Sequence, residues 1–177
     1  EVRAMEGLFI PAHIFTPYKS VYGKGVETFM AEVIDLKLVD AVELGLSSDT
    51  TMADQLPELS PFTFLTNSDA HSLAKIGREY QQLRLKAADF HHLRLALHRR
   101  EGQQVVANFG LDPKLGKYHL EVSRRIQRLS AAQHQALAVG TAQHWGRPFR
   151  RPPYIYQVPL EFIPGIGPSR LKRMIDQ

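Results

Sequence analysis

Phe62-Thr63-Phe64-Leu65-Thr66-Asn67-Ser68-Asp69-Ala70-His71 passes without a break from apolar and β-branched residues into a polar cluster. It reads as a buried strand over 62–66 that delivers functional side chains at its C-terminal end. The same arrangement occurs near the start of the chain, where Gly7-Leu8-Phe9-Ile10 is a short apolar run stopped by Pro11 and followed by Ala12-His13. Between the two, Val26, Phe29, Met30, Val33, Ile34 and Leu38 stand near helical spacing with acids among them, which predicts an amphipathic helix over 26–38. Residues 41–44 read as a strand ending at Gly45, 47–60 as a turn-rich stretch, and Asp89 as the cap of a helix to about Arg100 with Phe90, Leu93 and Leu97 on its buried face. Strand, helix, strand, loop, strand and helix in this order imply an α/β unit with parallel pairing.

Further on, 103–111 reads as a strand, Asp112-Pro113 as a turn, and 130–139 as a short Ala-rich helix capped by Ser130. Gly-Arg-Pro-Phe-Arg-Arg-Pro-Pro, 146–153, reads as a linker because its prolines oppose regular structure, and a small terminal unit follows it. The expected division is 1–102, 103–153 and 154–177.

Composition narrows the function classes. The 177 residues are 44% apolar and 23% charged, which excludes a disordered chain, and no apolar run is long enough to span a membrane. Zero cysteines exclude disulfides, thiolate zinc sites and a cysteine nucleophile, and give a cytoplasmic location as the default expectation. The opening Glu1-Val2-Arg3 reads as a start within a longer protein. The formal charge of +4 hides two opposite parts. Residues 1–80 hold 6 Lys+Arg against 12 Asp+Glu, while 81–177 hold 16 against 6. The basic part clusters its charge at Arg99-Arg100, at Arg124-Arg125 with Arg128, at Arg147 with Arg150-Arg151, and at Arg170 with Lys172-Arg173. Any one cluster is compatible with a solvated surface. Four together point toward a polyanion such as nucleic acid.

Two polar clusters at strand ends carry the chemistry. If the segment is extended, Asp69 and His71 point the same way, and His13 lies at an equivalent strand end. Carboxylate and imidazole aimed into one cleft suit a divalent metal (Zn, Mn or Mg), whereas the plainer alternative is a capping aspartate beside an incidental histidine. Glu43 and Asp49 could add a ligand, position a water or form a salt bridge. His91, His92 and His98 share the 89–100 helix and read as surface or DNA-facing residues. At the other end, Pro164-Gly165-Ile166-Gly167-Pro168-Ser169, followed by Arg170, Lys172 and Arg173, reads as a tight turn opening a helix whose first amides can hold a phosphate. That is how a helix-hairpin-helix grips DNA without reading bases, with Gly165, Ile166, Gly167, Ser169, Arg170 and Lys172 as its contacts. An ordinary turn between packed helices is the alternative.

Residues 11–23 (PAHIFTPYKSVYG), 43–49 (ELGLSSD), 67–72 (NSDAHS), 75–79 (KIGRE), 116–119 (GKYH) and 158–168 (VPLEFIPGIGP) together resemble the endonuclease Q family. The resemblance implies the C-terminal half of a PHP-type distorted α/β barrel (PHP: polymerase and histidinol phosphatase), then a zinc-module region, then a helix-hairpin-helix-like unit. It implies a metal-dependent endonuclease that nicks DNA 5′ of deaminated bases such as uracil or hypoxanthine. Carried over, it makes His13, Asp69 and His71 catalytic metal ligands, Ser47, Ser48 and Asp49 candidates for holding a flipped base, and Arg78 a phosphate contact. Its partners would be DNA containing deaminated bases and other DNA repair or replication proteins, with no membrane. Two departures stand out. The His-x-His opening of a PHP domain is missing, and residues 120–145 contain no cysteine, so the zinc module is degenerate or replaced. The rival readings are a PHP-type phosphoesterase acting on a small phosphate monoester and a non-catalytic DNA-binding module.

Overall fold

The computed structural model describes residues 1–142, 145, 149–157, 169 and 173. Two short parallel strands, β1 (Val42–Glu43) and β2 (Phe64–Leu65), form the centre. The 7–11 segment runs along the free side of β1, with Asp40 N donating to Phe9 O and Glu43 N to Pro11 O. It does not complete a ladder as a strand over 7–10 would, for two reasons. Pro11 has no amide hydrogen, and the Phe9 amide is taken by the Asp40 carboxylate at 2.8 Å instead of a strand carbonyl.

A second sheet has the order β3 (Tyr80–Arg84), β4 (Gln104–Gly110) and β5 (Tyr154–Tyr156), antiparallel then parallel. Its strands come from each of the three expected segments, so the boundaries at 102 and 153 both fall between hydrogen-bonded neighbours. β3 shows only a weak apolar alternation and escapes a sequence reading. Its partner β4 matches the expected 103–111 strand.

The side chains of β1 alternate between two layers. Val42 and Leu44 join Ile14, Tyr22, Met30, Leu59 and Phe64 in the larger core, closed by Val122, Ile126 and Leu129 of a long helix. Ala41 and Leu65 pack with Leu97 and Val105 on the other side. After the single-turn helix α1 (Thr50–Ala53), Leu97 belongs to the helix α2 (Phe90–Leu97), capped by the Asp89 carboxylate on His92 N as expected. Phe90, expected inside, is exposed, and Ala96 takes the buried position.

Two helical expectations are corrected. No helix spans 26–38; single 3-10 turns form at Met30–Glu32 and Leu36–Leu38. A helix here would bond Met30 N to Val26 O and Ala31 N to Glu27 O, but Glu58 takes both amides and Arg125 both carbonyls. The Glu32 carboxylate accepts from Glu27, Thr28 and Phe29, and the buried Glu58 carboxylate accepts from Met30 and Ala31. Val33 is therefore 60% exposed instead of facing the core. Conversely, the helix expected over 130–139 is the second half of α3 (His119–Ala138), 20 residues long. Ser130 does not cap it; its hydroxyl donates to Gln55 O. From His119 to Ala138 the region expected as a degenerate or replaced zinc module is thus a continuous helix, held on the core by Val122, Ile126, Leu129 and Gln133 at helical spacing.

The proline-rich 146–153 stretch ends in an anchor. Arg151 enters the fold, donating to Leu59 O, Ser60 O, Phe62 O and the Asp54 carboxylate, with its guanidinium 3.8 Å from the Phe64 ring centre. The Gly165-Ile166-Gly167 turn, Arg170 and Lys172 lie outside the described residues. Of residues 158–177 only Ser169 and Arg173 are described, with Arg173 Nε 3.4 Å from Ser169 O.

Candidate active site

Both polar clusters flank the C-terminal ends of the parallel strands. Glu43, the last residue of β1, is buried and uses both carboxylate oxygens as a clamp, one accepting from His13 N and the other from Gly45 N at 2.7 Å. The clamp holds His13 at a φ of 36°. Gly45, itself at φ 71°, must be glycine, because a β-carbon there would come within 2.8 Å of His13 Cβ. Asp69, beyond β2, is also in the left-handed region at φ 45°. Left-handed backbone at a non-glycine residue costs on the order of 1–3 kcal/mol and concentrates at functional sites.

His13 and Asp69 line one cleft of about 350 Å³ together with Ser47, Lys117 and His119. The Nδ1 atoms of both His13 and His119 are buried without a hydrogen-bond partner. His119, the first residue of α3, is the participant that residue spacing does not reveal, because the cleft forms only when α3 packs beneath the strand ends. Its only sequence signal is its place in the Gly-Lys-Tyr-His run.

His71 is placed differently from expectation. The chain is not extended through Asp69, whose positive φ cancels the two-residue alternation, and the exposed His71 ring turns back to donate from Nδ1 to Asp69 O at 2.8 Å. In neutral imidazole this leaves Nε2 as the free lone pair, a common posture for a metal-binding histidine. Among the described residues, no group of three or more histidine, aspartate or glutamate side chains is gathered closely enough to hold a metal ion. His13 and Asp69 have suitable donors facing one space. His71 supplies a third donor outside the cleft lining.

The remaining candidates have structural partners. Ser48 is buried, its hydroxyl donating to Leu44 O. Asp49 caps a short turn (Thr50–Ala53) through Met52 N and accepts from the Tyr156 hydroxyl at 2.7 Å, which pushes the phenol up to about 12. Of the 47–49 loop, Ser47 faces the cleft. Arg78 donates to Ser68 O, and Gln81 receives Thr66 N while donating to Asn67 Oδ1, so both brace the loop that carries Asp69. Behind them Glu79 is buried, holds Leu111 N with one oxygen and leaves the other unpartnered; burial pushes its carboxyl up to about 7. His98, expected on the surface, instead meets the fully buried Asp40 carboxylate at 2.8 Å.

The fold and site define a mixed α/β protein with a largely apolar cleft, carrying a few polar side chains, at the C-terminal ends of parallel strands, where ligand sites are commonly built. The chain resembles endonuclease Q. It matches the lesion-specific endonuclease PfuEndoQ from Pyrococcus furiosus with a TM-score of 0.72 and 30% identity, over 90% of this chain and 44% of that one. It matches endonuclease Q in complex with a 27-mer duplex carrying an abasic lesion at the active site with a TM-score of 0.77 and 28% identity, over 98% of this chain and 50% of that one. Among curated proteins it is 47% identical to the uncharacterized protein YqxK of Bacillus subtilis, over 98% of this chain and 49% of YqxK. It is 44% identical to the uncharacterized protein MJ0043 of Methanocaldococcus jannaschii, over 60% of this chain and 14% of MJ0043. The chain thus spans about half the length of YqxK and less of MJ0043. No family model matches it. No helix among the described residues is long and apolar enough to cross a membrane.

Proposed function

We propose that the chain forms part of a metal-dependent DNA endonuclease of the endonuclease Q type, nicking 5′ of deaminated bases such as uracil or hypoxanthine. The observation that carries the reading is the pairing in one cleft of His13, clamped beside the end of β1, and Asp69, beyond the end of β2, each held at positive φ. The likeness to a structure with an abasic lesion at its active site supports DNA as the substrate.

His13, through its unpartnered Nδ1, and Asp69 would hold a divalent ion (Zn, Mn or Mg), with the free Nε2 of His71 as a further ligand. Such an ion supplies activation of water and neutralisation of charge developing on the phosphodiester. The chain's own residues position the reactants. Glu43 and Gly45 fix His13, Arg78 and Gln81 fix the Asp69 loop, and Lys117 at the rim offers a cation to the scissile strand. Ser47, which lines the cleft, would be the member of the 47–49 loop to meet an extruded base; a deaminated base pairs poorly and is cheaper to flip. In the finer reading, residues 1–102 are part of a PHP-type barrel. Residues 103–153 replace the zinc module with helix α3. Residues 154–177 grip the DNA backbone in helix-hairpin-helix manner through Gly165, Ile166, Gly167, Ser169, Arg170 and Lys172.

The test sets a lesion-bearing duplex against a chromogenic phosphate monoester, each with Mn and with EDTA. Mn-dependent nicking of the duplex and no monoester turnover is the expected result. Monoester turnover would favour a small-molecule phosphoesterase. Salt-sensitive DNA binding without turnover of either would leave a binding module.

A further inference from the structure

A second cleft, of about 260 Å³, lies at the opposite end of the sheets from the one just described. It is lined by Thr63, which precedes β2, whereas Asp69 follows that strand. It also contains Gln104, the first residue of β4, whereas Leu111, just past the end of β4, lines the other cleft. Seven residues of strand put the two sites about 20 Å apart.

Four arginines, Arg84, Arg99, Arg150 and Arg151, line this cleft, and among the described residues no carboxylate does. Two belong to the wall. Arg151 is saturated by three main-chain carbonyls and by Asp54, which balances its charge at 2.8 Å. Arg99 is held at φ 54° and donates to the Thr63 hydroxyl and Pro61 O, both neutral, so its charge has no counter-ion among the described residues. The Phe149 ring lies between these two cations, 3.6 Å from Arg99 Cζ and 4.4 Å from Arg151 Cζ. Arg84 and Arg150 are exposed at the rim. Arg84 stands directly across from Gln104 in the β3–β4 ladder. The nearby Lys86 already spends its charge on Glu101 at 2.7 Å. Three uncompensated guanidiniums around one concavity repel one another, and Arg99 is held below its ordinary pKa by burial and by Arg151. A concave site with this excess of planar, bidentate donors and no internal acid fits an oxyanion bearing more than one charge.

We infer that this arginine cleft, formed where the 149–153 strap crosses the ends of β3 and β4, is a phosphate-binding site separate from the His13–Asp69 cleft. It does not depend on the endonuclease reading. Its ligand chemistry is a phosphate group clamped between Arg84, Arg150 and the free N–H groups of Arg99, with Gln104 as a neutral donor. A DNA backbone and a free phosphorylated small molecule share that chemistry, and the experiment separates them.

The probe is inorganic pyrophosphate, titrated calorimetrically in metal-free buffer at low salt into the chain and into an Arg84→Ala, Arg150→Ala double variant. Both rim residues are exposed, and equal thermal denaturation of the two proteins verifies that the fold is intact. The site predicts binding by the chain and at least a tenfold weaker affinity in the double variant, partly restored by Arg84→Lys with Arg150→Lys. No pyrophosphate binding, or equal affinity in both proteins, overturns the inference. Fluorescence anisotropy with a lesion-free duplex then identifies the source. Competition by pyrophosphate, together with a salt slope lowered by about two in the double variant, assigns the site to the DNA backbone. An unchanged slope, with pyrophosphate binding still lost, assigns it to a free phosphorylated ligand.

Discussion

At the scale of single residues, the His13 clamp is the most demanding feature. Gly45→Ala would bring a β-carbon within 2.8 Å of His13 Cβ at a backbone φ of 71°. We predict a loss of about 2 kcal/mol or more in urea unfolding, because strain at positive φ adds to the overlap. Unchanged stability would mean that the clamp is not rigid. Glu79 gives a pH signature. Its carboxyl is pushed up to about 7 by burial, whereas the unfolded chain ionises near 4.5. Between those values the folded state keeps a proton that the unfolded state has released, so stability falls as pH rises through that window, by about 3 kcal/mol when complete. Glu79→Gln removes this slope. The difference between wild type and variant, measured by urea unfolding at pH 4.5 and at pH 8, should therefore change by that order, and parallel curves would contradict the assignment.

At the scale of elements, Glu58 decides what the 26–38 segment becomes. It is fully buried and accepts from Met30 N, Ala31 N and the Tyr22 hydroxyl, while Gln133 of α3 receives the Glu58 amide. Glu58→Ala orphans three donors, two of them buried, so a loss of about 3–5 kcal/mol is expected in denaturant titration, against under about 1 kcal/mol if the pocket admits water freely. This contact also explains what was legible in the sequence. Strands ending in glycine or in a polar cluster, such as 41–44 and 62–66, were readable because their signals are local. The apolar spacing of 26–38 misled because the amides were claimed by Glu58, 27 and 28 residues away in the chain. The pairing of Asp69 with His71 misled because one positive φ at Asp69 breaks the alternation on which it rested. His119 was hidden because its relation to His13 exists only through the packing of α3, and Gln81 because β3 carries little periodicity.

At the scale of the whole molecule, the charge asymmetry divides into structural and free cations. Arg125 donates to Tyr22 O and Val26 O, and Arg151 ties the strap to the loop before β2. Arg124 and Arg128 stand exposed on α3. Arg151→Ala is therefore expected to destabilise the chain by about 3 kcal/mol or more, through unsatisfied carbonyls and an unpaired Asp54. Arg124→Ala with Arg128→Ala should alter stability by under about 1 kcal/mol but weaken duplex binding. Equal effects of the two sets in thermal and anisotropy measurements would refute this division. The central claim is that His13 and Asp69 belong to a cleft that cuts DNA beside a damaged base. Its most direct test is mapping, at single-nucleotide resolution, of strand nicks in an end-labelled duplex carrying one uracil or hypoxanthine. It is made with Mn or Mg present, using the full chain as wild type and as Asp69→Ala. The account predicts a cut immediately 5′ of the lesion by the wild type, lost in Asp69→Ala. A cut that persists in Asp69→Ala, or no lesion-dependent cut in any form, would contradict it.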